Sequence, residues 1–303
     1  VRASTLPQYG GPELLTVSDL PRPTPEPGQI LVRVAASAVN PVDLEVRSGA
    51  AAGNIGHGFP MTLGWDLSGV VEECGPGVDR FTAGDRVVAM SAQMATGVGT
   101  HAQYVALDAG LAAKAPRTAE LRDAAALPLA GLTAHQALGV LDPPAGGTVL
   151  ITGASGAVGG FAVQLAVARG LKVLAFGRPD DALLLRALGA DETYSDERPV
   201  PPGAADALLE TAGLPGAVAG VRDGGRAVSI VPTAPPVAER GIDVRMSFVE
   251  QDGRRLEELS GLVDEGVLTL RVAAVFPLAE VGEAHRRLAA GGSRGKLLIS
   301  PWD

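Results

Sequence analysis

The first part of the chain is a series of short apolar runs set off by turn residues. Gln29-Ile-Leu-Val-Arg-Val-Ala-Ala, Ser68-Gly-Val-Val-Glu-Glu and Asp85-Arg-Val-Val-Ala-Met each read as a strand. Pro25-Glu-Pro27-Gly28, Gly75-Pro76-Gly77 and Ala83-Gly84-Asp85 supply the turns between them. This spacing predicts a small barrel-like β domain over residues 1 to about 118. From about residue 119 helix and strand patterns alternate. The strand candidates are Val149–Thr152, Lys172–Phe176, Glu192–Tyr194, Ala207–Glu210, Arg226–Val231 and Val244–Val249. Six strands with helices between them predict a doubly wound parallel sheet. Arg198-Pro-Val-Pro-Pro-Gly203 reads as a surface loop, and Arg254 to Val263 as a helix. Leu268 to Ile299 returns to mixed strand and helix.

The stretch Thr148-Val-Leu-Ile-Thr-Gly153-Ala-Ser-Gly156-Ala-Val-Gly159-Gly160 carries the most chemistry. A β-type run stops at a glycine-dense turn. A helical pattern follows at once, with Val158, Phe161, Ala162 and Leu165 on one face and Gly170 at its end. In this strand–turn–helix setting glycines let the backbone approach a pyrophosphate, and the helix start offers it amide donors. A second apolar strand, Lys172 to Phe176, completes the βαβ unit.

At 303 residues the chain is too long for one ordinary core, so two domains are expected. A net charge of −9 argues against nucleic acid or anionic membrane as partners. The single cysteine, Cys74, excludes an intramolecular disulfide and any cysteine-based zinc cluster. The uncharged run Ala124–Leu141 is interrupted by Pro128, Thr133, His135 and Gln136, and reads as a buried helix. With no apolar signal region at the start, a cytoplasmic protein is expected.

Several motifs in order resemble the medium-chain dehydrogenase/reductase superfamily, in its zinc-independent quinone oxidoreductase and enoyl reductase-like branch. They are Asn40-Pro-Val-Asp43, Gly64-Trp-Asp66-Leu-Ser-Gly69 and Gly75 through Val87. Ala124 through Ala134, the glycine turn and Gly295-Lys296-Leu-Leu-Ile follow. The resemblance implies an α/β protein with two domains. One is a GroES-like β-rich barrel domain (1–118 and 252–303). The other is a Rossmann doubly wound parallel-sheet domain (119–251). It also implies that Ser155, Gly156, Ala157 and Val158 bracket the pyrophosphate and that Thr133 faces the nicotinamide ribose. Asn40 then lies near the nicotinamide, with Ala212, Gly213 and Val231 lining that half of the cofactor. The last sheet strand, Val244–Val249, is expected to pair across a two-fold axis in a homodimer.

The second strand ends Phe176-Gly177-Arg178, with an arginine and no carboxylate at its tip. A guanidinium there suits a 2′-phosphate, which favours NADP(H). Asp180-Asp181 reads as the N-cap of the helix Ala182–Leu188. Where zinc enzymes of the superfamily carry Cys and His–Glu, this chain carries Asn40 and Trp65-Asp66, and no metal is expected. His57 and His285 read as solvated histidines. Without a Lewis acid, hydride from NADPH goes most readily to a quinone or to the activated C=C of an α,β-unsaturated carbonyl. Asn40 is the candidate polar group near the reacting carbonyl. Glu45 stands where relatives often carry tyrosine. It is either a proton donor or a structural partner of Arg47. Trp65 and Met94 are expected to wall and rim the substrate pocket. The alternatives are an enoyl reductase acting on an acyl thioester in polyketide or fatty-acid assembly, and a non-catalytic NADPH-binding sensor.

Overall fold

The computed structural model describes residues 1–303, and the chain divides into two compact units. The first comprises residues 1–129, 251–266 and 270–303; the second comprises 130–250 and 267–269.

The first unit is built on a seven-stranded sheet centred on the long strand Gln29–Val39. That strand is antiparallel to Asp66–Cys74 over most of its length. Its first half also pairs with Tyr104–Asp108, and its last residues pair with Lys296–Ser300. Arg86–Met90 and Ala112–Lys114 extend the sheet beyond Asp66–Cys74. One strand with partners on both sides along its length curls the sheet into a barrel-like wall around Val32, Val34, Leu67, Val71, Phe81 and Leu107. Gly69 is required where strands cross closely, because a Cβ there would strike the Arg33 carbonyl oxygen. A three-stranded sheet, Thr16–Asp19, Arg2–Leu6 and Met61–Thr62, accompanies it.

Residues 119–129 group with this unit. The 3-10 turn Asp123–Ala126 packs its alanines against the sheet, and the Leu129 amide donates to Asp66 at 2.6 Å. The C-terminal segment returns through the helices Gly253–Asp264 and Val281–Ala289 and the parallel strands Val272–Pro277 and Lys296–Ser300.

The second unit holds six parallel strands. Their order is Glu192–Tyr194, Lys172–Phe176, Thr148–Ile151, Ala205–Glu210, Val221–Ser229, Asp243–Met246. The strand order reverses beside Thr148–Ile151, which puts a ligand crevice at the carboxyl ends of the strands there. The helix between Pro128 and Leu141 forms as the apolar run predicts. Together with the preceding turn it is long and apolar enough to cross a membrane, yet 72% of that window is buried in the protein, as in a core helix.

One expectation fails. Only two of the five crossovers contain an α-helix, Ala157–Ala168 and Ala182–Ala187. The connection 195–204 is a loop, Pro215–Gly220 is a 3-10 helix, and 230–242 is a loop. Proline is the reason: Pro199, Pro201 and Pro202 lie in the first, and Pro232, Pro235 and Pro236 in the last. One face of the sheet, carrying Leu174, Leu150 and Leu208, is therefore covered by Val218, Val200 and Ile242 from thin segments. A cavity of about 420 Å³ opens on that side, lined by Leu150, Phe176, Asp196, Val200, Leu214 and Gly220. The expected strand Val244–Val249 spans Asp243–Met246 instead, and Phe248 beyond it is exposed.

Candidate cofactor and reaction site

In the second unit the glycine turn has the form its sequence requires. Gly153 has a φ of +56°, and a Cβ on it would sit 2.8 Å from Thr211 Oγ1. A Cβ on Gly159 would overlap the Gly153 carbonyl oxygen and the Ala154 backbone. These two glycines let the helix Ala157–Ala168 start directly over the strand end. Gly156, at the helix N-cap, has no side chain to satisfy the first-turn amides. Ser155, Gly156, Ala157 and Val158 are half-buried around this start. Backbone amides and the positive helix end suit a pyrophosphate.

A buried carboxylate that the sequence reading did not single out organises the neighbouring strand ends. Glu210 is fully buried, and its Oε1 accepts from the amides of Ala212 and Leu214 at 2.7 and 3.0 Å and from Thr152 Oγ1 at 3.2 Å. Its Oε2 accepts from Ser229 Oγ at 2.9 Å. One side chain thus ties the ends of three adjacent strands. Gly213, at φ +71°, lies against Val231, so the predicted residues Ala212, Gly213 and Val231 form one wall. The only sequence signal for Glu210 was an acidic residue closing an apolar strand. Thr133 is buried in the helix Pro128–Leu141.

Asp181 corrects the N-cap reading. Its side chain makes no capping hydrogen bond to the helix Ala182–Ala187. Its Oδ2 turns back, accepting from the Arg178 amide at 3.1 Å and from Ser155 Oγ at 2.6 Å. The 3-10 turn Pro179–Asp181, started by proline, swings the carboxylate toward the glycine turn. Gly177 lies against it as well, since a Cβ there would be 3.3 Å from Asp181 Oδ2. Arg178 itself is exposed, and its guanidinium has no ion-pair partner.

In the first unit Asn40 opens the helix Pro41–Ser48. Its amide is spent on buried neighbours: Nδ2 donates to Asp66 Oδ2 at 2.9 Å and to the Ala38 carbonyl at 3.3 Å. Asn40 Oδ1 accepts from Lys296 Nζ, which also donates to Asp66 Oδ2 at 2.9 Å. Asp66 Oδ1 holds the Leu129 amide. Asn40, Asp66 and Lys296 are therefore a closed, buried polar network.

Asp43 adjoins it, accepting from the amides of Asn40 and Gly64 at 2.8 and 2.9 Å. Burial pushes its pKa up to about 7, against the opposing pull of those amides and of Lys296. Lys296 was legible only as part of a C-terminal motif. Its partners lie 230 and 256 residues away in the chain.

Glu45 is half-buried on the same helix and has no ion-pair partner. Arg47 donates to the Gly10 carbonyl at 2.7 Å, and the Glu45–Arg47 pairing, one of the two alternatives for Glu45, does not form. Trp65 is 6% exposed, with its indole N–H unpartnered in the protein. Met94 lies on the short helix Gln93–Thr96 and packs partly against the cluster of Val46, Met61 and Leu63.

His285 is not solvated. It is fully buried, edge-to-face with His101 at 6.3 Å between ring centroids. His101 shares a 2.8 Å hydrogen bond with Ser37. Burial drives both imidazoles down to about 3, with Arg47 assisting at His285 and His285 and Lys296 at His101. No three His, Cys, Asp or Glu side chains gather as a metal-holding group.

Residues 26–117 match the alcohol dehydrogenase GroES-like domain, and 188–299 match the family model described as zinc-binding dehydrogenase. The chain is 31% identical over 321 residues to the chloroplast envelope quinone oxidoreductase homolog of Arabidopsis thaliana, covering 96% of this chain and 95% of that one. It is 30% identical over 306 residues to the NADPH-dependent alkenal/one oxidoreductase of the same plant, over 97% of this chain and 78% of the relative. The solved quinone oxidoreductase of Coxiella burnetii superposes with a TM-score of 0.90 at 28% identity, covering 99% of each chain. With its GroES-like unit, its six-stranded parallel sheet and its glycine turn, the chain belongs to the medium-chain dehydrogenase/reductase superfamily, a family of nicotinamide-dependent oxidoreductases.

Proposed function

We propose that this protein transfers hydride from NADPH to a quinone or to the activated C=C of an α,β-unsaturated carbonyl, without a metal. The observation that carries the cofactor choice is Arg178. It stands exposed and without an ion-pair partner at the tip of the strand beside the glycine turn. A guanidinium there pairs with a 2′-phosphate through charge-assisted hydrogen bonds. The glycine cradle, which a Cβ would fill, fits the pyrophosphate of the same cofactor. When bound, that cofactor supplies the hydride.

The acceptor follows from how Asn40, Asp66 and Lys296 are used. All three are turned on one another, and Asp66 also holds a backbone amide. They supply orientation to the helix Pro41–Ser48 and no strong electrophile to an alkoxide. An acceptor that delocalises the arriving electron pair, as an enolate or by aromatisation, suits such a site. Water then protonates the enolate carbon. Trp65 and Met94 supply apolar surface for a flat acceptor. Relatives named for quinone and for alkenal/one reduction support this reading.

The enoyl-thioester reading and the non-catalytic sensor stand as alternatives, and one assay separates them. NADPH and NADH oxidation is followed over quinones, 2-alkenals, cyclic enones and crotonyl thioesters. Turnover of quinones or free enones with NADPH supports the proposal. Turnover of thioesters alone points to an assembly-line reductase, and tight NADPH binding with no turnover to a sensor. The edge strand Asp243–Met246 is paired on one side only within the sheet. We assign it as a homodimer interface, to be tested by the solution mass of the protein. A cytoplasmic location belongs to the same reading.

A further inference from the structure

Three of the residues assigned to the cofactor meet at one carboxylate that the cofactor reading leaves without a role. Asp181 Oδ2 accepts from Ser155 Oγ at 2.6 Å and from the Arg178 amide at 3.1 Å, and a Cβ on Gly177 would lie 3.3 Å from it. Asp181 is 1% exposed. We infer that Asp181 is a selectivity residue that acts against Arg178, holding down the preference for a 2′-phosphate over a 2′-hydroxyl. The inference rests on placing the adenosine ribose at Arg178.

Asp181 acts electrostatically. A carboxylate this deeply covered is not open to a ribose hydroxyl, so it cannot select NADH by accepting a hydrogen bond as an exposed strand-tip acid does. Its reach is through charge. The two dinucleotides differ at this loop by a phosphate against a hydroxyl. A buried charge behind the loop is poorly screened by solvent, so its field extends to a ligand held on the outer side. Arg178 attracts the phosphate from the front, while Asp181 repels it from behind. The two hydrogen bonds explain why the carboxylate is kept there. It fastens the glycine turn to the loop 177–181, so the segments contacting pyrophosphate and ribose keep a fixed spacing. Geometry and selectivity are thus separate duties of one side chain. The hydrogen bonds need an acceptor oxygen, whereas the discrimination needs the negative charge.

Asp181→Asn separates them, because an amide oxygen still accepts from Ser155 and Arg178 while the charge is gone. The dissociation constants of NADPH and NADH are measured by fluorescence titration on the full-length wild type and variant. Inhibition by 2′,5′-ADP and 5′-AMP gives the same comparison without the nicotinamide. The pyrophosphate, shared by both dinucleotides, also gains from the loss of this charge, so the expected result is tighter binding of both, with the NADPH-to-NADH affinity ratio rising about threefold or more. A folded variant with an unchanged ratio overturns the inference, as does equal weakening of both ligands, which would mark Asp181 as a fastener only. Asp181→Ser provides a second neutral side chain. If neither variant folds, the charge is there for stability and the inference also falls. Failure of the NADP(H) reading itself looks different: the wild type would prefer NADH and Arg178→Ala would leave the ratio unmoved.

Discussion

Lys296 Nζ donates to Asp66 Oδ2 at 2.9 Å with the two side chains 5% and 0% exposed, joining the C-terminal strand to the strand that follows Trp65. A buried pair of this kind sets geometry more than it adds stability, because desolvation offsets most of the attraction. Removing one partner is a different matter, since it strands a charge. Lys296→Met is expected to cost about 3–5 kcal/mol in chemical denaturation. Lys296→Met combined with Asp66→Asn should recover part of that loss. A single-variant cost under about 1 kcal/mol would show that the pair does not hold the domain together.

Acid should destabilise the protein before its carboxylates are titrated out. His101 and His285 have ordinary values of 6.5 and folded values of about 3. Between those limits the unfolded chain binds protons that the folded one does not. Their stabilisation is therefore complete above pH 6.5 and is lost as pH falls toward 3. Asp43 has the opposite sign. Its pKa rises from 3.8 to about 7, so its contribution is present below 3.8 and lost as pH climbs through 7. Two imidazoles outweigh one carboxyl, and the unfolding midpoint should drop from pH 6.5 to 4. His285→Phe should flatten that slope, and a slope unaltered by the change would refute the assignment. A carbon NMR titration of the Asp43 carboxyl should give a midpoint near 7.

Gly159→Ala places a methyl group on the Gly153 carbonyl oxygen. The turn must open, at a cost of about 1–3 kcal/mol for the forced overpacking. NADPH and NADH binding should weaken together by more than the stability change, because the pyrophosphate cradle is shared. Unaltered binding in a titration would show that the turn does not contact the cofactor.

Arg178→Ala should raise the KM for NADPH about tenfold or more, the worth of a charge-assisted hydrogen-bond pair, and leave NADH kinetics nearly unchanged. Equal effects on both cofactors would remove Arg178 from the 2′-phosphate site. Steady-state kinetics with a single acceptor are sufficient.

Local pattern determined much of this protein. The glycine turn, the apolar strands on either side of it and the helix Ala157–Ala168 follow from short-range chemistry: permissive backbone, strand propensity and apolar spacing. The proline-rich run 198–203 was readable as a loop for the same reason. The expectation of helices between the strands overlooked the equivalent prolines at 232, 235 and 236. Only the tertiary structure could decide the rest, because burial and long-range pairing are not local properties. A histidine on a polar helix, His285, becomes a neutral core residue once the helix Val281–Ala289 docks. Asn40, read as facing a substrate, finds its partners in Asp66 and Lys296 far along the chain. Glu210 gathers donors from three strands. Asp181 turns from the helix that follows it to the glycine turn before it. In each case a polar group denied water takes whatever partner the fold brings near, and sequence spacing carries no record of that partner.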